Sequence, residues 1–303
     1  MLDVIGKKWL YFLISGLVIV PGLISLILFG LRPSLDFTGG TLLEIKIPPP
    51  KEQKIKTEDI KKITESQKIE VGSIQPSEKD TYLLRLKPIT QTENQKLQNA
   101  LKKKYGPSVH QERIETVGPT IGVETTQKAI LSVIVASLAI VAYIAFAFRG
   151  IPKPYSSLKF GIVAIAALIH DVLVVVGVFS LLGYFYKVEV DSLFITALLT
   201  VMGFSVHDTI VVFDRIRENL RKMAGQPFAT IVNESIIQTL VRSLSTSLTV
   251  VFTLMALLLF GGETIKWFVV ALLVGVISGT YSSIFNAAPL LVVWEEFSRK
   301  KVK

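Results

Sequence analysis

Six long apolar runs constrain this chain of 303 residues more than any other feature of its sequence. A helix rises about 1.5 Å per residue, so each run is long enough to cross the roughly 30 Å hydrocarbon core of a bilayer. Inside a bilayer a helix satisfies its own backbone hydrogen bonds, which makes it the expected form of each run. The predicted transmembrane helices cover residues 9–30, 129–148, 160–184, 193–213, 243–260 and 267–294.

A polar segment separates the first two runs. Residues 31–128 hold 17 Lys and Arg against 13 Asp and Glu, which is typical of a soluble domain. The first run is longer than the apolar segment of a secretory signal peptide, so we interpret it as an uncleaved membrane helix. The predicted organisation is therefore a first helix within residues 1–30, a soluble domain at 31–128, and a five-helix membrane region at 129–303.

The polar segment shows the pattern strand, helix, strand, strand, helix, strand, which predicts a small ferredoxin-like α+β domain. Thr90 and Glu93 have the spacing of a capping box at the start of the second helix, and Gly106 with Pro107 ends it. Thr57 is the predicted cap of the first helix, at 58–67, and a turn is expected at 77–80. The predicted strands cover 41–47, 69–74, 82–86 and 109–117.

The distribution of Lys and Arg predicts the orientation of the chain in the membrane. Only Lys187 and Lys266 lie in the two short loops assigned to the outer side. The segments assigned to the cytoplasm contain 14 basic residues: Lys7, Lys8, Arg149, Lys153, Lys159, Arg215, Arg217, Arg221, Lys222, Arg242, Arg299, Lys300, Lys301 and Lys303. By the positive-inside rule, both termini are expected in the cytoplasm and the 31–128 domain outside it.

Net charge and cysteine content exclude several classes of function. The net charge of +9 fits contact with the anionic headgroups of membrane lipids, so no nucleic-acid partner is expected. Cysteine is absent, which excludes disulfides and thiolate metal sites. The two His-Asp pairs at 170–171 and 207–208 are poor chelates because neighbouring helical residues point about 100° apart, and no metal is expected.

A few ionisable residues lie inside or at the edge of the apolar runs, and they are the candidate functional residues. Asp208 lies about six residues, or roughly 9 Å, from the inner end of the fourth run, and Arg242 lies at the inner edge of the fifth. His170 and Asp171 lie near the middle of the third run, and His207 precedes Asp208. The hydroxyl residues Ser243, Ser245, Thr246, Ser247 and Thr249 follow Arg242.

These residues have two interpretations. Apolar surroundings favour a protonated carboxyl group and a nearby arginine favours the ionised one, so movement of Arg242 relative to Asp208 could take up or release a proton. The alternative is a static ion pair, with Arg242 marking the lipid interface. His170, Asp171 and His207 are further candidates for a proton relay, and the protons themselves would be the coupling ion.

The sixth run carries small residues at a spacing of four. Gly275, Gly279 and Ser283 form a face that lets another helix approach closely, either within the chain or from another subunit. The apolar runs contain no Gly-x-Ser-x-Gly or His-Glu-x-x-His pattern, and their few polar residues do not form a nucleophile and base set. An enzyme is therefore not expected.

Three motifs carry a resemblance to a known family. They are Asp-Phe-Thr-Gly-Gly at 36–40, Val-Gly-Pro-Thr-Ile-Gly at 117–122, and the stretch DTIVVFDRIREN at 208–219. With these motifs, in this order over nearly the whole chain, the sequence resembles the SecF members of the SecD/SecF family of protein-export membrane subunits, which is related to the resistance-nodulation-division transporters. Supporting matches lie at 170–171, 238–245 and 279–283.

The resemblance implies a function and partners. Members of this family pair SecF with SecD in a complex of twelve spans, which works with the SecYEG channel and uses the proton gradient to promote late-stage export of preproteins. It implies that Asp208 and Arg242 belong to the proton pathway and places the chain in the bacterial plasma (inner) membrane. The residues of its structural motifs are Asp36, Gly39, Gly40, Gly118 and Pro119.

Two points remain open in the sequence. A proton-coupled half-transporter for lipids or small molecules is an alternative function, which a larger outer domain and a polar cavity would favour. The glycines at 39 and 40 permit a tight turn into the first strand, either as a fixed corner or as a hinge; we expect a corner with some hinge role.

Overall fold

The computed structural model describes residues 3–48, 55–77, 80–152 and 155–300. It contains two compact units, Pro33–Ile130 and Met1–Arg32 together with Leu131–Lys303. Helices and strands follow in the order α1 (Lys8–Phe29), α2 (Leu35–Thr38), β1 (Gly40–Lys46), α3 (Thr57–Ser66), β2 (Val71–Pro76), β3 (Thr81–Leu86), α4 (Gln91–Tyr105), β4 (His110–Val117), α5 (Pro119–Ala147), α6 (Ser157–Tyr186), α7 (Ser192–Lys222), α8 (Phe228–Phe260), α9 (Lys266–Ser282) and α10 (Ala288–Lys300).

Within the described ranges, six helices are long and apolar enough to cross a membrane, which confirms the predicted multi-pass helical fold. The spans cover Ile5–Phe29, Pro119–Ala147, Ser157–Tyr186, Ser192–Lys222, Phe228–Phe260 and Lys266–Ser298. Several helices are longer than the apolar runs because their polar ends stay helical: α7 continues to Lys222, and α8 begins 15 residues before Ser243. The last span joins α9 and α10 through a π-helical segment, Ser283–Ala287.

The soluble unit has the predicted ferredoxin-like topology. Its four strands form an antiparallel sheet in the order β2-β3-β1-β4, so β3 separates the two strands that α3 connects. Alternate residues of β1, including Leu43 and Ile45, are buried, as the period of a strand requires. The core cluster contains Leu43, Ile45, Ile47, Ile60, Ile69, Leu84, Leu86, Leu97, Leu101 and Val109.

Of the two predicted helix caps in this unit, one is confirmed and one is wrong. At α4, Glu93 accepts the backbone N–H of Thr90 at 2.7 Å, and the Thr90 hydroxyl accepts the N–H of Glu93 at 3.3 Å. These bonds hold the pKa of Glu93 below its usual value. At α3, however, Thr57 is already helical, and the extended residue before it, Lys56, is the cap. Part of the predicted turn at 77–80 lies outside the described residues.

The glycines of the 36–40 motif form a tight corner between α2 and β1. Gly39 and Gly40 have positive φ angles of 67° and 123°, which side chains strongly disfavour. A Cβ on Gly40 would lie 2.7 Å from the carbonyl oxygen of Leu86, and a Cβ on Gly39 would lie 3.1 Å from Cα of Pro119. A Cβ on Gly122 would lie 2.9 Å from the Gly39 nitrogen, so the two glycine motifs pack directly together.

In the membrane unit, α1 crosses α6 at a pair of glycines that the sequence analysis did not identify. A Cβ on Gly22 would lie 2.9 Å from Cα of Gly177, and the reverse distance is 2.8 Å. One turn further along, the hydroxyls of Ser25 and Ser180 share a hydrogen bond of 2.8 Å. Close approach at small residues is the usual way in which membrane helices pack, and here it fixes α1 against α6.

Candidate functional site

The candidate site lies where α6, α7, α8 and α9 meet in the membrane unit. The predicted small-residue face of the last span packs against α7 of the same chain. A Cβ on Gly279 would lie 3.2 Å from Cα of Ser205, and a Cβ on Gly275 would collide with the side chain of Val201. This close approach brings polar side chains of α9 next to the carboxylates of α6 and α7.

Asp171 of α6 is the centre of a dense polar cluster. Its carboxylate is 0% exposed and accepts hydrogen bonds from the hydroxyls of Ser205 at 2.5 Å, Ser278 at 2.8 Å and Ser282 at 2.7 Å. Ser278 donates to Oδ1, and the Nδ1 atom of His170 lies 2.9 Å from the same oxygen. Both carboxylate oxygens therefore have partners, which is how a buried carboxylate is stabilised.

Asp208 of α7 is equally buried, with 2% exposure, but is held more loosely. Its Oδ2 atom accepts hydrogen bonds from Thr280 at 3.2 Å and from Ser247 at 3.4 Å. The Thr280 and Ser247 oxygens also lie 2.6 Å apart, and because Thr280 has a single proton it donates either to Asp208 or to Ser247. A hydroxyl can donate to an ionised carboxylate or accept from a protonated one, so this environment accommodates both protonation states.

A hydroxyl pair lies between the two carboxylate clusters. Thr209, the neighbour of Asp208, shares a hydrogen bond of 2.8 Å with Ser283, and Ser283 donates to the carbonyl of Ser205 at 3.4 Å. Ser205 in turn donates to Asp171. These bonds join α7 to the last span between the two carboxylates, but they do not reach the carboxylate of Asp208.

The two ring nitrogens of His170 contact different partners. Its Nδ1 atom contacts Asp171, while its Nε2 atom lies 3.1 Å from the amide nitrogen of Asn286 in the π-helical segment. The same amide nitrogen donates to Ser15 of α1 at 2.7 Å. In a neutral ring with its proton on Nδ1, the imidazole donates to Asp171 and accepts from Asn286, which satisfies both ring nitrogens.

Among the described residues, Arg242 and His207 form no hydrogen bond or ion pair with Asp171 or Asp208. Both lie in the described part of the chain, their side chains are exposed, and no ion pair joins Arg242 to Asp208. Arg242 precedes Ser247 by five residues on α8, which is about 7.5 Å along the helix axis, and it lies on a different face. The expected contact between Arg242 and Asp208 is therefore absent from this conformation, because α8 directs Ser247 rather than Arg242 towards Asp208.

The hydroxyl residues that follow Arg242 on α8 also point in different directions, and only some of them face the carboxylates. Ser247 reaches Asp208, and Ser243 is buried without a hydrogen-bond partner among the described residues. Thr246 and Thr249 are exposed and donate to carbonyls of their own helix, at Arg242 and Thr246. Across the described ranges, no group of three or more His, Asp or Glu residues could hold a metal ion.

Sequence reasoning missed most of the partners of the carboxylates. The missed partners are Ser205, Ser278, Thr280 and Ser282. Sequence reasoning also missed Asn286, which contacts His170, and Ser15, which contacts Asn286. One signal was available for two of them. Ser278 and Ser282 stand at i and i+4 beside the glycine stripe of the last span, so they share a face of α9 that packs within the protein.

Comparisons with known proteins agree with this architecture. The family model described as "Protein export membrane protein SecD/SecF, C-terminal" matches residues 96–297, and that of the SecD/SecF GG motif matches residues 24–47. The chain is 48% identical to the protein translocase subunit SecF of Thermobaculum terrenum, covering 97% of this chain and 94% of the relative. It is 44% identical to the SecF of Anaerolinea thermophila, again covering 97% and 94%.

A solved structure shows the same fold. The crystal structure of SecDF from Thermus thermophilus, a translocon-associated membrane protein, matches with a TM-score of 0.80 at 33% identity. The match covers 97% of this chain and 39% of the longer SecDF chain. The family model spans well over half of the chain, and the relatives are similar along nearly their full length. The chain belongs to the SecD/SecF family of protein-export membrane proteins.

Proposed function

We propose that this chain is a subunit of a Sec accessory complex that uses the proton motive force to promote the late stage of protein export. Relatives at 48% and 44% identity are named protein translocase subunit SecF, which supports a role in Sec protein export. The use of protons is our own inference from the membrane unit. It rests on Asp208, a carboxylate that is buried in a membrane helix and forms no salt bridge with the described side chains.

The surroundings of Asp208 are suited to a group that changes its protonation state. A permanent salt bridge would favour the ionised form, whereas two long hydrogen bonds from hydroxyls favour neither form strongly. A proton that crosses a membrane potential releases about 2.3 kcal/mol per 100 mV. That energy shifts an equilibrium between two conformations by about fifty-fold, which is enough to bias a movement of the protein.

The partners in this proposal follow from the exposed surfaces and the comparisons. Only 6% of the residues in the most apolar stretch of α5, and 17% in that of α8, are buried. Most of the surface of these two helices therefore meets lipid or another protein. Because this chain covers 39% of the matched SecDF chain, we propose that a separate SecD protein supplies the rest. We propose that the exposed side chains of Arg242 and His207 either contact this partner or belong to the part of the proton path that moves.

We further propose that the complex acts with the SecYEG channel on preproteins, in the plasma membrane of a bacterium. The excess of Lys and Arg in the segments assigned to the cytoplasm supports an orientation with both termini in the cytoplasm and the ferredoxin-like unit outside it. No cofactor other than the transported proton is needed for this function.

The test is export of a model preprotein into inverted membrane vesicles, with and without a proton gradient, for the wild type and Asp208→Asn. Each chain is co-expressed with its SecD partner. Asparagine has nearly the same shape as aspartate but cannot take up a proton. We expect Asp208→Asn to lose the gradient-dependent part of export, by about tenfold or more, while the yield of the complex stays unchanged.

The matched control is Asp214→Asn, which removes an exposed carboxylate less than two turns further along the same helix. It should keep its gradient dependence. Full gradient dependence in Asp208→Asn would refute the proton role of Asp208. Loss of complex yield in Asp208→Asn alone would instead support a static structural role.

A further inference from the structure

The chain passes between the two compact units twice, and the two connections differ in stiffness. The first connection, residues 30–34, contains no helix, and its Gly30 has a positive φ angle of 67°. The second is α5, which continues without a break from Ile130 of the soluble unit to Leu131 of the membrane unit. Residues 123–147 of α5 include no glycine or proline, at which helices usually kink. The second connection is therefore the stiff one.

The beginning of α5 is locked into the corner that Gly39 and Gly40 form between α2 and β1, here called the glycine corner. A Cβ on Gly122 would lie 2.9 Å from the Gly39 nitrogen and 3.0 Å from the carbonyl oxygen of Phe37. One turn further along, the Thr126 hydroxyl lies 3.5 Å from the same carbonyl oxygen. Because backbone touches backbone here, no side chain can rotate to absorb a displacement, so α5 and the glycine corner move together.

The end of α5 is packed against α6 and α7 of the membrane unit. Ile144 and Phe148 are 0% and 2% exposed. The centre of the Phe148 ring lies 6.1 Å from that of Phe160 on α6 and 5.5 Å from that of Phe213 on α7. Phe213 follows Asp208 by five residues, which is about 7.5 Å along α7. A movement of α7 near Asp208 therefore acts directly on the end of α5.

Two arginines of α7 hold the same end of α5 by its backbone. Arg217 donates to the carbonyl of Ala147, the last residue of α5, at 3.4 Å, and Arg221 donates to the carbonyl of Gly150 at 3.3 Å. The last carbonyls of a helix have no partner within the helix, and cations are favoured beside them. The end of α5 is thus joined to α7 by hydrogen bonds as well as by packing.

Between these two attachments α5 is hardly packed at all. Of residues 123–143, all of which the structure describes, none is buried. This stretch is about 32 Å long at the usual rise of a helix. A helix that serves to fill a core buries a stripe along its length, whereas α5 is held at its two ends only. That arrangement is suited to carrying a displacement from one end to the other.

We propose that α5 is a stiff link that carries movement of α7 to the glycine corner of the soluble unit. The link rests on the proposed function, because protonation of Asp208 is the event that moves α7. Phe213 and the two arginines pass the displacement of α7 to the end of α5, and Gly122 passes it to the glycine corner. The connection at 30–34 lets the soluble unit follow, because it contains no helix.

The test is a kink in the middle of α5. Ala136→Pro removes a helical hydrogen bond and kinks the helix by about 20° or more. Because Ala136 lies about 25 Å from the beginning of α5, a kink of that size displaces the beginning by about 9 Å. Ala136→Val adds bulk at the same position without a kink and is the matched control.

Two spin labels report the position of the soluble unit. The chain has no cysteine of its own, so Lys96→Cys on α4 and Tyr186→Cys at the end of α6 supply exposed sites, one in each unit. Pulsed electron paramagnetic resonance measures the distance between the labels in the complex with a cysteine-free partner. We expect Ala136→Pro to shift this distance by about 5 Å or more, and Ala136→Val to leave it unchanged. An unchanged distance in Ala136→Pro would overturn the proposal.

A second pair of variants tests the contact at the end of α5 and leaves the helix intact. Phe148→Ala removes the ring that meets Phe160 and Phe213. Phe179→Ala, the control, removes an equally buried ring that belongs to the other core cluster of the membrane unit and packs against Phe194. We expect Phe148→Ala to broaden the distribution of label distances about 1.5-fold or more, and Phe179→Ala to leave its width unchanged. Equal widths would overturn the role of this contact.

Export of the model preprotein then separates the link from the proton role. Ala136→Pro leaves Asp208 and its partners untouched, yet it should lower gradient-dependent export about fivefold or more, with normal assembly of the complex. If the soluble unit is displaced and export keeps its full gradient dependence, α5 does not transmit the movement and the proposal is wrong. Full gradient dependence in Asp208→Asn would refute the proton role instead. The label distances involve no export, so they still decide whether α5 holds the soluble unit.

Discussion

Asp171 and Asp208 are both buried carboxylates on neighbouring membrane helices, yet their surroundings differ sharply. Asp171 has four partners at 2.5 to 2.9 Å that occupy both of its oxygens. Asp208 has two partners, at 3.2 and 3.4 Å, on a single oxygen. Burial alone therefore does not distinguish the two residues, but their hydrogen bonds do.

The difference bears on what a proton does at each position. A proton on Asp171 requires at least one donor to reorient, and its hydroxyl donors come from α7 and α9, so protonation there changes how three helices contact one another. A proton on Asp208 disturbs only weak bonds. We infer that Asp208 is suited to exchange protons, whereas Asp171 is suited to hold the helices together and to loosen them when protonated.

The largest expected effect is a difference in stability between the alanine variants of the two carboxylates. Asp171→Ala removes the acceptor of three buried hydroxyls, of which Ser282 keeps a second acceptor, the Gly279 carbonyl at 3.2 Å, and we expect the variant to lower the free energy of unfolding by about 2 to 4 kcal/mol. Asp208→Ala should lower it by about 1 kcal/mol or less. For a chain of this size, the melting temperature would fall by about 5 to 10 °C in the first variant and by about 3 °C or less in the second.

The measurement is the temperature at which the purified complex in detergent loses its monodisperse peak in size-exclusion chromatography. Wild type and both alanine variants are heated side by side, with the same partner and lipid. Equal shifts for the two variants would show that the bond lengths do not reflect the energies and would remove the basis for separating the roles of the two carboxylates.

An intermediate effect is expected at the glycine next to Asp171. A Cβ at residue 279 would lie 3.2 Å from both Cα and Cβ of Ser205 and 3.6 Å from the Asp171 carboxylate. Gly279→Ala should therefore push α9 away from α7 and cost about 1 to 2 kcal/mol. The matched control is Gly203→Ala on α7, where a Cβ meets nothing within 4 Å and alanine favours the helix.

The same thermal assay distinguishes these glycine variants. Gly279→Ala should melt at a lower temperature than the wild type, and Gly203→Ala at the same or a higher temperature. If both shift downwards equally, the loss comes from the changed backbone and not from the contact with Ser205 and Asp171.

The sequence predicts the outlines of this site but not its partners. Charged residues are rare in apolar runs, so Asp171 and Asp208 were visible at once. Hydroxyls are common in membrane helices, and which of them faces a carboxylate depends on how each helix is rotated against the others. The sequence therefore predicted how far along its helix Arg242 lies, but it did not predict that the side chain points away from Asp208.

In the soluble unit, local signals worked better because they depend on neighbours in the chain. Alternating apolar residues predicted the strands, and the spacing of Thr90 and Glu93 predicted the capping box. Thr57 failed as a cap because a threonine fits either the cap or the first turn, and only the geometry of Lys56 decides between them. The contact between the two glycine motifs joins residues far apart in the chain, Gly39 and Gly122, which no local pattern reveals.

The smallest effect, and the most specific, is expected from single hydroxyls. Ser282 donates to Asp171 at 2.7 Å and Ser247 donates to Asp208 at 3.4 Å, so the two serines form a matched pair. Ser282→Ala should cost about 1 kcal/mol and Ser247→Ala less than about 0.5 kcal/mol. Double-mutant cycles with Asp171→Ala and Asp208→Ala isolate each bond from other effects of the substitution.

These cycles decide whether the contrast between the carboxylates lies in their bonds or in their wider surroundings. We expect a coupling of about 1 kcal/mol between Ser282 and Asp171, and a coupling near zero between Ser247 and Asp208. If Ser247 and Asp208 couple as strongly, Asp208 is anchored despite its long contacts. Its readiness to change protonation state would then have to come from a conformation in which α8 has moved, because in the present one Ser247 would favour the ionised form.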